Sequence, residues 1–212
     1  MSSKLQNIAL IASFRAICQQ IESASRPIVF LHGSASDETS LLRLSTQIGT
    51  NHPSYFPRGK ERSDGAYTFY RRLEDRSIDF ENLAARSAEL AGFLSTISGS
   101  HGRRPLLIGY SSGAVTAAAL LAKHAEFVEG AVLLRPESPY GASPFPWLDN
   151  RPVLLMSGSN DIRRKKTDAP ALLNLLQAAG ANVEWHDLPC GHTLDPKGAD
   201  IKLTRAWLAK RG

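Results

Sequence analysis

The chain has 212 residues, 42% of them hydrophobic, and a formal charge of +5 at pH 7. That length suffices for one domain with a sizeable core, and no run approaches the roughly 20 apolar residues of a membrane span. The basic clusters Arg71-Arg72, Arg103-Arg104 and Arg163-Arg164-Lys165-Lys166 come with no nucleic-acid-binding motif. They read as a solvated basic surface that could steer anionic ligands, and no nucleic-acid partner is expected.

From the N-terminus, Ile11, Phe14, Cys18 and Ile21 recur at helical spacing, so residues 1–26 are expected to form an N-terminal helix of the same domain. Its apolar start, Ile8 to Ala12, is too short and too soon interrupted for a secretory signal. Cys18 and Cys190 lie far apart and read as reduced thiols of a cytoplasmic protein. Arg26-Pro27 ends the helix. Ile28 to Leu31 is a short buried strand closing at His32-Gly33. Ser36 or Asp37 could cap the next helix, through Leu41, Leu42, Leu44 and Ile48.

Residues 49–68 are rich in loop formers, with Ser54 to Phe56 as a brief strand. Phe80 to Ser98 is amphipathic helix, ended by Gly99 to Pro105. Leu106 to Ile108, Gly130 to Leu134, Val153 to Ser157 and Asn182 to His186 are strands. Ala114 to Leu121, Ala169 to Ala179 and Lys197 to Lys210 are helices, the second closed by Gly180. Short apolar strands alternating with helices imply parallel βαβ units with helices on both faces. Residues 135–150, with four prolines, form a long connection expected at the C-terminal edge of the sheet, where open α/β folds bind ligands.

The chemistry concentrates at Gly109-Tyr110-Ser111-Ser112-Gly113. A Gly-x-Ser-x-Gly turn between strand and helix forces its serine onto a sharp elbow and presents the hydroxyl beside a helix N-terminus. The glycines leave room for that turn, and the free N–H groups of the first helical turn can receive an oxyanion. Ser111 is centred between the glycines, so it is the candidate nucleophile. A base and an orienting acid should follow it in the order acid, then histidine. His192 lies after the last strand and directly after a glycine; His186 is its rival but falls within the strand. Asp161 ends the Val153 strand in a turn of small residues; Asp187 and Asp168 are the alternatives. The oxyanion donors should be the N–H of Ser112 and one from the loop after the first strand, for which Ser34 is the choice. No cluster has metal-ligand spacing and no phosphate loop is present, so neither metal nor cofactor is implied.

With these residues in place, the chain resembles the α/β-hydrolase superfamily, and within it the phospholipase/carboxylesterase branch, close to dienelactone-hydrolase-like esterases. The resemblance is carried by Leu31-His-Gly-Ser-Ala-Ser-Asp-Glu38, Phe69-Tyr-Arg-Arg-Leu73, the Ser111 elbow, Ala131-Val-Leu-Leu-Arg-Pro136, Gly158-Ser-Asn-Asp161 and Gly191-His192. It runs from about residue 27 to the C-terminus, so 27–212 would be the hydrolase domain. The resemblance implies a three-layer α/β/α sandwich with a mostly parallel sheet and no cap domain. It implies a cofactor-free hydrolase of small carboxylic esters or thioesters, with Ser111, Asp161 and His192 as triad and Ser34 and Ser112 as oxyanion donors. Tyr70, Arg71, Pro139 and Tyr140 are the expected walls of the substrate pocket. The competing reading is a non-catalytic binding or regulatory member of the same fold. Two departures stand out. The loop Ser34-Ala35-Ser36 lacks the extra glycines common in relatives. The expected N-terminal helix replaces leading strands, and could cover a sheet edge or join two copies as a homodimer.

Overall fold

The computed structural model describes residues 5–20, 25–49 and 51–211. The N-terminal segment is a hairpin, β1 (Leu5–Ile11) and β2 (Phe14–Gln20), not a helix. Phe14, Ala16 and Cys18, spaced by two, are each at most 2% exposed, and Ile17 is buried on the opposite face. Alternation therefore outweighs the helical spacing of Ile11, Phe14 and Cys18. Residues 1–4 and 21–24, also assigned to that helix, lie outside the described residues. The loop joining the strands is Ala12-Ser13, with φ of 44° and 66°. A primed two-residue turn needs such left-handed positions, yet this one lacks the usual Asn-Gly signature. With the helix goes the ground for a homodimer through it.

The central sheet continues with β3 (Ile28–Leu31), β4 (Ser54–Pro57), β7 (Leu106–Tyr110), β8 (Gly130–Leu134), β9 (Pro152–Gly158) and β10 (Asn182–Leu188); β5 (Glu61–Ser63) and β6 (Ala66–Thr68) form a separate small hairpin. Its eight strands run in the order β1-β2-β4-β3-β7-β8-β9-β10. Every pairing from β4 to β10 is parallel, and β2 is antiparallel to both its neighbours.

Period-2 alternation assigns the two faces. Leu107, Ala131, Leu133, Val153 and Leu155 meet α2 (Phe80–His101), α3 (Ser112–Lys123) and α4 (Asp168–Ala178). Leu106, Ile108, Val132, Leu134, Leu154 and Met156 meet α1 (Leu42–Ile48) and α5 (Ala199–Ala209), where Trp207 is 1% exposed. The result is a three-layer α/β/α sandwich. Alanines 114, 117, 118 and 119 let α3 lie close against the middle of the sheet.

Several expected boundaries shift. Asp37 accepts from the Thr39 N–H and hydroxyl (2.9 and 2.6 Å), closing a turn ahead of α1, which starts at Leu42 without a side-chain cap. Helix α2 runs past Gly99 to His101; Asp79 caps its start, accepting from the Asn82 N–H at 3.0 Å. The 135–151 connection leaves the site after its first residues, because it must travel from the C-terminal end of β8 to the start of the parallel β9. Tyr140 on that path packs on Phe80 and under Lys123, and the Leu148 and Asn150 N–H groups bond the Ala179 and Gly180 carbonyls.

Left-handed backbone costs alanine roughly 1–2 kcal/mol, whereas asparagine adopts it readily. Ala12→Asn should therefore stabilise the fold by about 1 kcal/mol, raising the thermal midpoint by about 2–4 °C for a chain of this size. Thermal unfolding followed by circular dichroism checks this.

Candidate active site

Ser111 sits between β7 and α3 with φ 54° and ψ −113°, a conformation that non-glycine residues rarely hold. Its neighbours explain why it stays there. A Cβ on Gly109 would lie 2.4 Å from the Gly113 carbonyl oxygen. One on Gly113 would lie 2.0 Å from the Leu31 oxygen and 2.6 Å from the His32 oxygen. Only glycines allow the end of β3, the end of β7 and the first turn of α3 to touch backbone to backbone. The Ser111 N–H donates to the Leu134 carbonyl (2.8 Å), and its carbonyl accepts from the Ala114 and Val115 N–H groups. Strain in one residue is thus held by bonds on both sides.

The sheet then brings distant residues together. Ser111 Oγ lies 2.7 Å from His192 Nε2, and His192 Nδ1 lies 2.7 Å from Asp161 Oδ2. Because a carboxylate only accepts, Nδ1 carries the proton and Nε2 is free to accept from the serine hydroxyl. The second oxygen of Asp161 accepts the Arg163 N–H at 2.8 Å, and its side chain is 2% exposed. Burial pushes the His192 pKa down. The bond to Asp161 opposes this, and Arg164 and Arg163 push it down further. Neither rival acid joins this set. Asp187 accepts from the Ser157 hydroxyl, and Asp168 accepts the Lys165 N–H ahead of α4. His186 pairs with Glu184 on β10.

Ser34 and Ser112 approach the elbow from two elements. A Cβ on Gly33 would lie 3.6 Å from that of Ser111, so the loop after β3 runs alongside the serine. Thr68 links the two loops, its hydroxyl 3.2 Å from Ser34 Oγ and 3.5 Å from Ser112 Oγ. Among the described residues neither the Ser34 nor the Ser112 N–H has a protein partner. Buried His32 braces the same loop: Nδ1 meets the Gly33 carbonyl at 2.7 Å, and Nε2 accepts the Gly59 N–H at 3.0 Å. Burial lowers its pKa, in keeping with a neutral ring.

The expected pocket walls are less coherent. Tyr70 is 2% exposed; burial pushes its hydroxyl pKa up to about 12, and it accepts from Arg72 at 3.2 Å. Arg71 is exposed and pairs with Asp79 at 3.5 Å. Pro139 is buried, and Tyr140 faces the helical layer. None of the four is in hydrogen-bond or ring contact with Ser111 or His192. The basic clusters are not simply solvated either. Glu137 takes ion pairs from both Arg72 and Arg164, the latter at 2.9 Å. A cavity of about 200 Å³ touches Asp161, Arg164 and Trp185 but neither Ser111 nor His192. Sequence reading missed Thr68, Tyr110 and Arg135. Tyr110 donates its hydroxyl to the His192 carbonyl, and no local pattern announces such long-range bonds.

The chain is 30% identical over 185 residues to the Bacillus subtilis protein described as "Putative hydrolase MhqD", covering 85% of this chain and 90% of that one. It belongs to the α/β-hydrolase superfamily, in the phospholipase/carboxylesterase branch. Two carboxylesterase crystal structures carry the same hydrolase fold. That from Bacillus cereus is 29% identical, with a TM-score of 0.86 over 93% of this chain and 94% of its own. That from Mesorhizobium loti is 27% identical, with a TM-score of 0.86 over 96% and 98%. No protein-family profile matches the chain. The loops carrying Asp161 and His192 meet through another glycine: a Cβ on Gly158 would lie 2.6 Å from the Cys190 oxygen and 2.7 Å from the Gly191 oxygen.

Gly158→Ala should therefore destabilise by about 1–3 kcal/mol, the usual cost of overpacking. Gly92→Ala, in open space on α2, should stabilise by up to about 1 kcal/mol. Denaturant unfolding of both variants makes the comparison.

Proposed function

We propose that this chain is a carboxylic ester hydrolase acting through an acyl-enzyme on small esters or thioesters. The observation that carries the reading is the unbroken chain Ser111 Oγ, His192, Asp161, with both links at 2.7 Å. In this reading His192 Nε2 takes the serine proton as Oγ attacks the carbonyl carbon. The tetrahedral oxyanion is received by the Ser34 and Ser112 N–H groups, each such donor typically worth about 2.7–4 kcal/mol of barrier. Asp161 holds the imidazole in the right tautomer and stabilises the imidazolium that forms. The imidazolium then protonates the leaving alcohol or thiol, the acyl–Oγ bond remains, and water deprotonated by the same nitrogen releases the acid.

Carboxylesterase neighbours at 29% and 27% identity support this reading over a non-catalytic one. The connection between β8 and β9 contains no inserted helical cap, so the site suits small or extended esters. The two thiols are free and buried, in keeping with a reducing, cytoplasmic setting. Among the described residues no helix is long and apolar enough to cross a membrane.

Wild-type protein should hydrolyse p-nitrophenyl acetate and gain one phosphonyl group from a fluorophosphonate. Ser111→Ala should lose about 10⁴–10⁶-fold in kcat and take no label. A folded wild type inert to both reagents sinks the proposal. Only the neutral imidazole can act as base, so kcat/KM should rise with pH through the His192 ionisation. Because that pKa is lowered, the midpoint should lie below the ordinary histidine value of about 6.5. A pH–rate profile of the free enzyme reads it directly.

A further inference from the structure

Arg135 follows β8 directly, within the Leu-Leu-Arg-Pro stretch, and no step of the proposed reaction uses it. It is 1% exposed and has φ 57°. Its guanidinium forms a two-pronged pair with Asp200 at the start of α5, both bonds at 2.9 Å. That pair alone would serve to anchor a helix. The remaining donors go elsewhere: the second N–H of Nη2 is shared between the Thr193 carbonyl (2.9 Å) and Cys190 Sγ (3.1 Å), that of Nη1 reaches the Met156 carbonyl (3.3 Å), and Nε reaches the Gly191 carbonyl (3.3 Å). The residues on either side of His192 are thus held by one planar group, while Tyr110 holds the His192 carbonyl itself.

The backbone of Arg135 grips the other loop. Its N–H donates to the Met156 carbonyl (2.8 Å), and its carbonyl accepts from Arg164 Nε (3.0 Å), three residues past Asp161. Asp200 extends the hold by accepting the Asp195 N–H at 2.5 Å. Residues 189–198 belong to no helix or strand, so no ladder fixes the imidazole. Its placement must come from bonds of this kind, and a guanidinium's fixed fork supplies several directions at once.

We propose that Arg135 is a positioning residue: it sets His192 against Ser111 by clamping the carbonyls of Gly191 and Thr193, and keeps the acid loop in step through Arg164. The proposal rests on the serine-hydrolase reading for its kinetic consequence, though not for the geometry.

The test uses the full chain with two variants. Arg135→Lys keeps the charge but not the fork. Arg135→Met/Asp200→Leu removes both partners, which avoids the unpaired buried carboxylate a single replacement would leave and is commonly tolerated by folds. In both, kcat for p-nitrophenyl acetate should fall about 10²-fold, the usual effect of a misplaced catalytic group, while KM changes little. The downfield proton resonance of the His192–Asp161 hydrogen bond should broaden or vanish in both variants, with the native circular dichroism spectrum retained. A folded double variant with wild-type kcat and an intact downfield resonance would overturn the proposal, leaving Arg135 a purely structural ion pair. Should wild type lack esterase activity, the hydrolase reading fails instead. The resonance then still decides whether Arg135 positions the histidine.

Discussion

The structure depends on a close crossing of backbones at the centre of the sheet. The first turn of α3 rests on the last residues of β3 with no side chain between them, since Gly113 meets the Leu31 and His32 carbonyls directly. This contact fixes where α3 begins, and hence where Ser111 must turn. A serine at φ 54° is a local cost of order 1–3 kcal/mol, met by surroundings that over-determine the conformation. Those surroundings are among the most buried in the molecule: Leu107, Ile108, Ala114, Val115 and Leu133 are all fully inaccessible. The elbow is thus strained because the layers pack well, and the strain leaves the hydroxyl proud of the sheet.

Around that rigid point the remaining groups sit on irregular segments, and each is tied by a small number of specific contacts. The loop after β3 is held by His32 to Gly59 and by Ser34 to Thr68. The Asp161 loop is stitched to the His192 loop by the Ser159 and Asn160 N–H groups, which donate to the Leu188 and Cys190 carbonyls. Helix packing alone would not place an imidazole nitrogen within hydrogen-bond reach of a hydroxyl. Specific hydrogen bonds between neighbouring loops, from backbone and buried side chains together, supply that placement.

Much of this was legible in the sequence for a definite physical reason. Buried parallel strands are continuous apolar runs, so Ile28 to Leu31, Gly130 to Leu134 and Val153 to Ser157 announce themselves, and helices between them dictate a layered α/β fold. Ser111, Asp161 and His192 could be picked out because an elbow has a local steric signature and the others lie at strand ends in a set order. What stayed hidden depends on tertiary context. The N-terminal hairpin turns at Ala12-Ser13, which carries no glycine or asparagine, and its apolar residues satisfy two periodicities at once. Strands β5 and β6 are three residues each, too short for a pattern. Thr68 and Arg135 act on partners 21 to 65 positions away, and nothing local marks such residues.

The charged residues near the site show the same division between local pattern and long-range use. As a run, Arg163 to Lys166 looks like surface. In the fold, Arg164 turns inward: its side chain is 12% exposed, its Nε caps the end of β8, and its Nη1 shares Glu137 with Arg72. One carboxylate thereby joins three loops, those after β6, β8 and β9. Its two arginines leave this junction with a positive surplus, and the positive field of Arg164 helps keep His192 neutral. In the proposed reaction, a base that takes a proton from serine would be served by surroundings that resist its premature protonation, while the bond to Asp161 pulls the other way. The opposition between Arg164 and Asp161 across one imidazole is therefore part of what the site's architecture provides. It arises from two residues only three positions apart in sequence whose charges act on the ring in opposite directions.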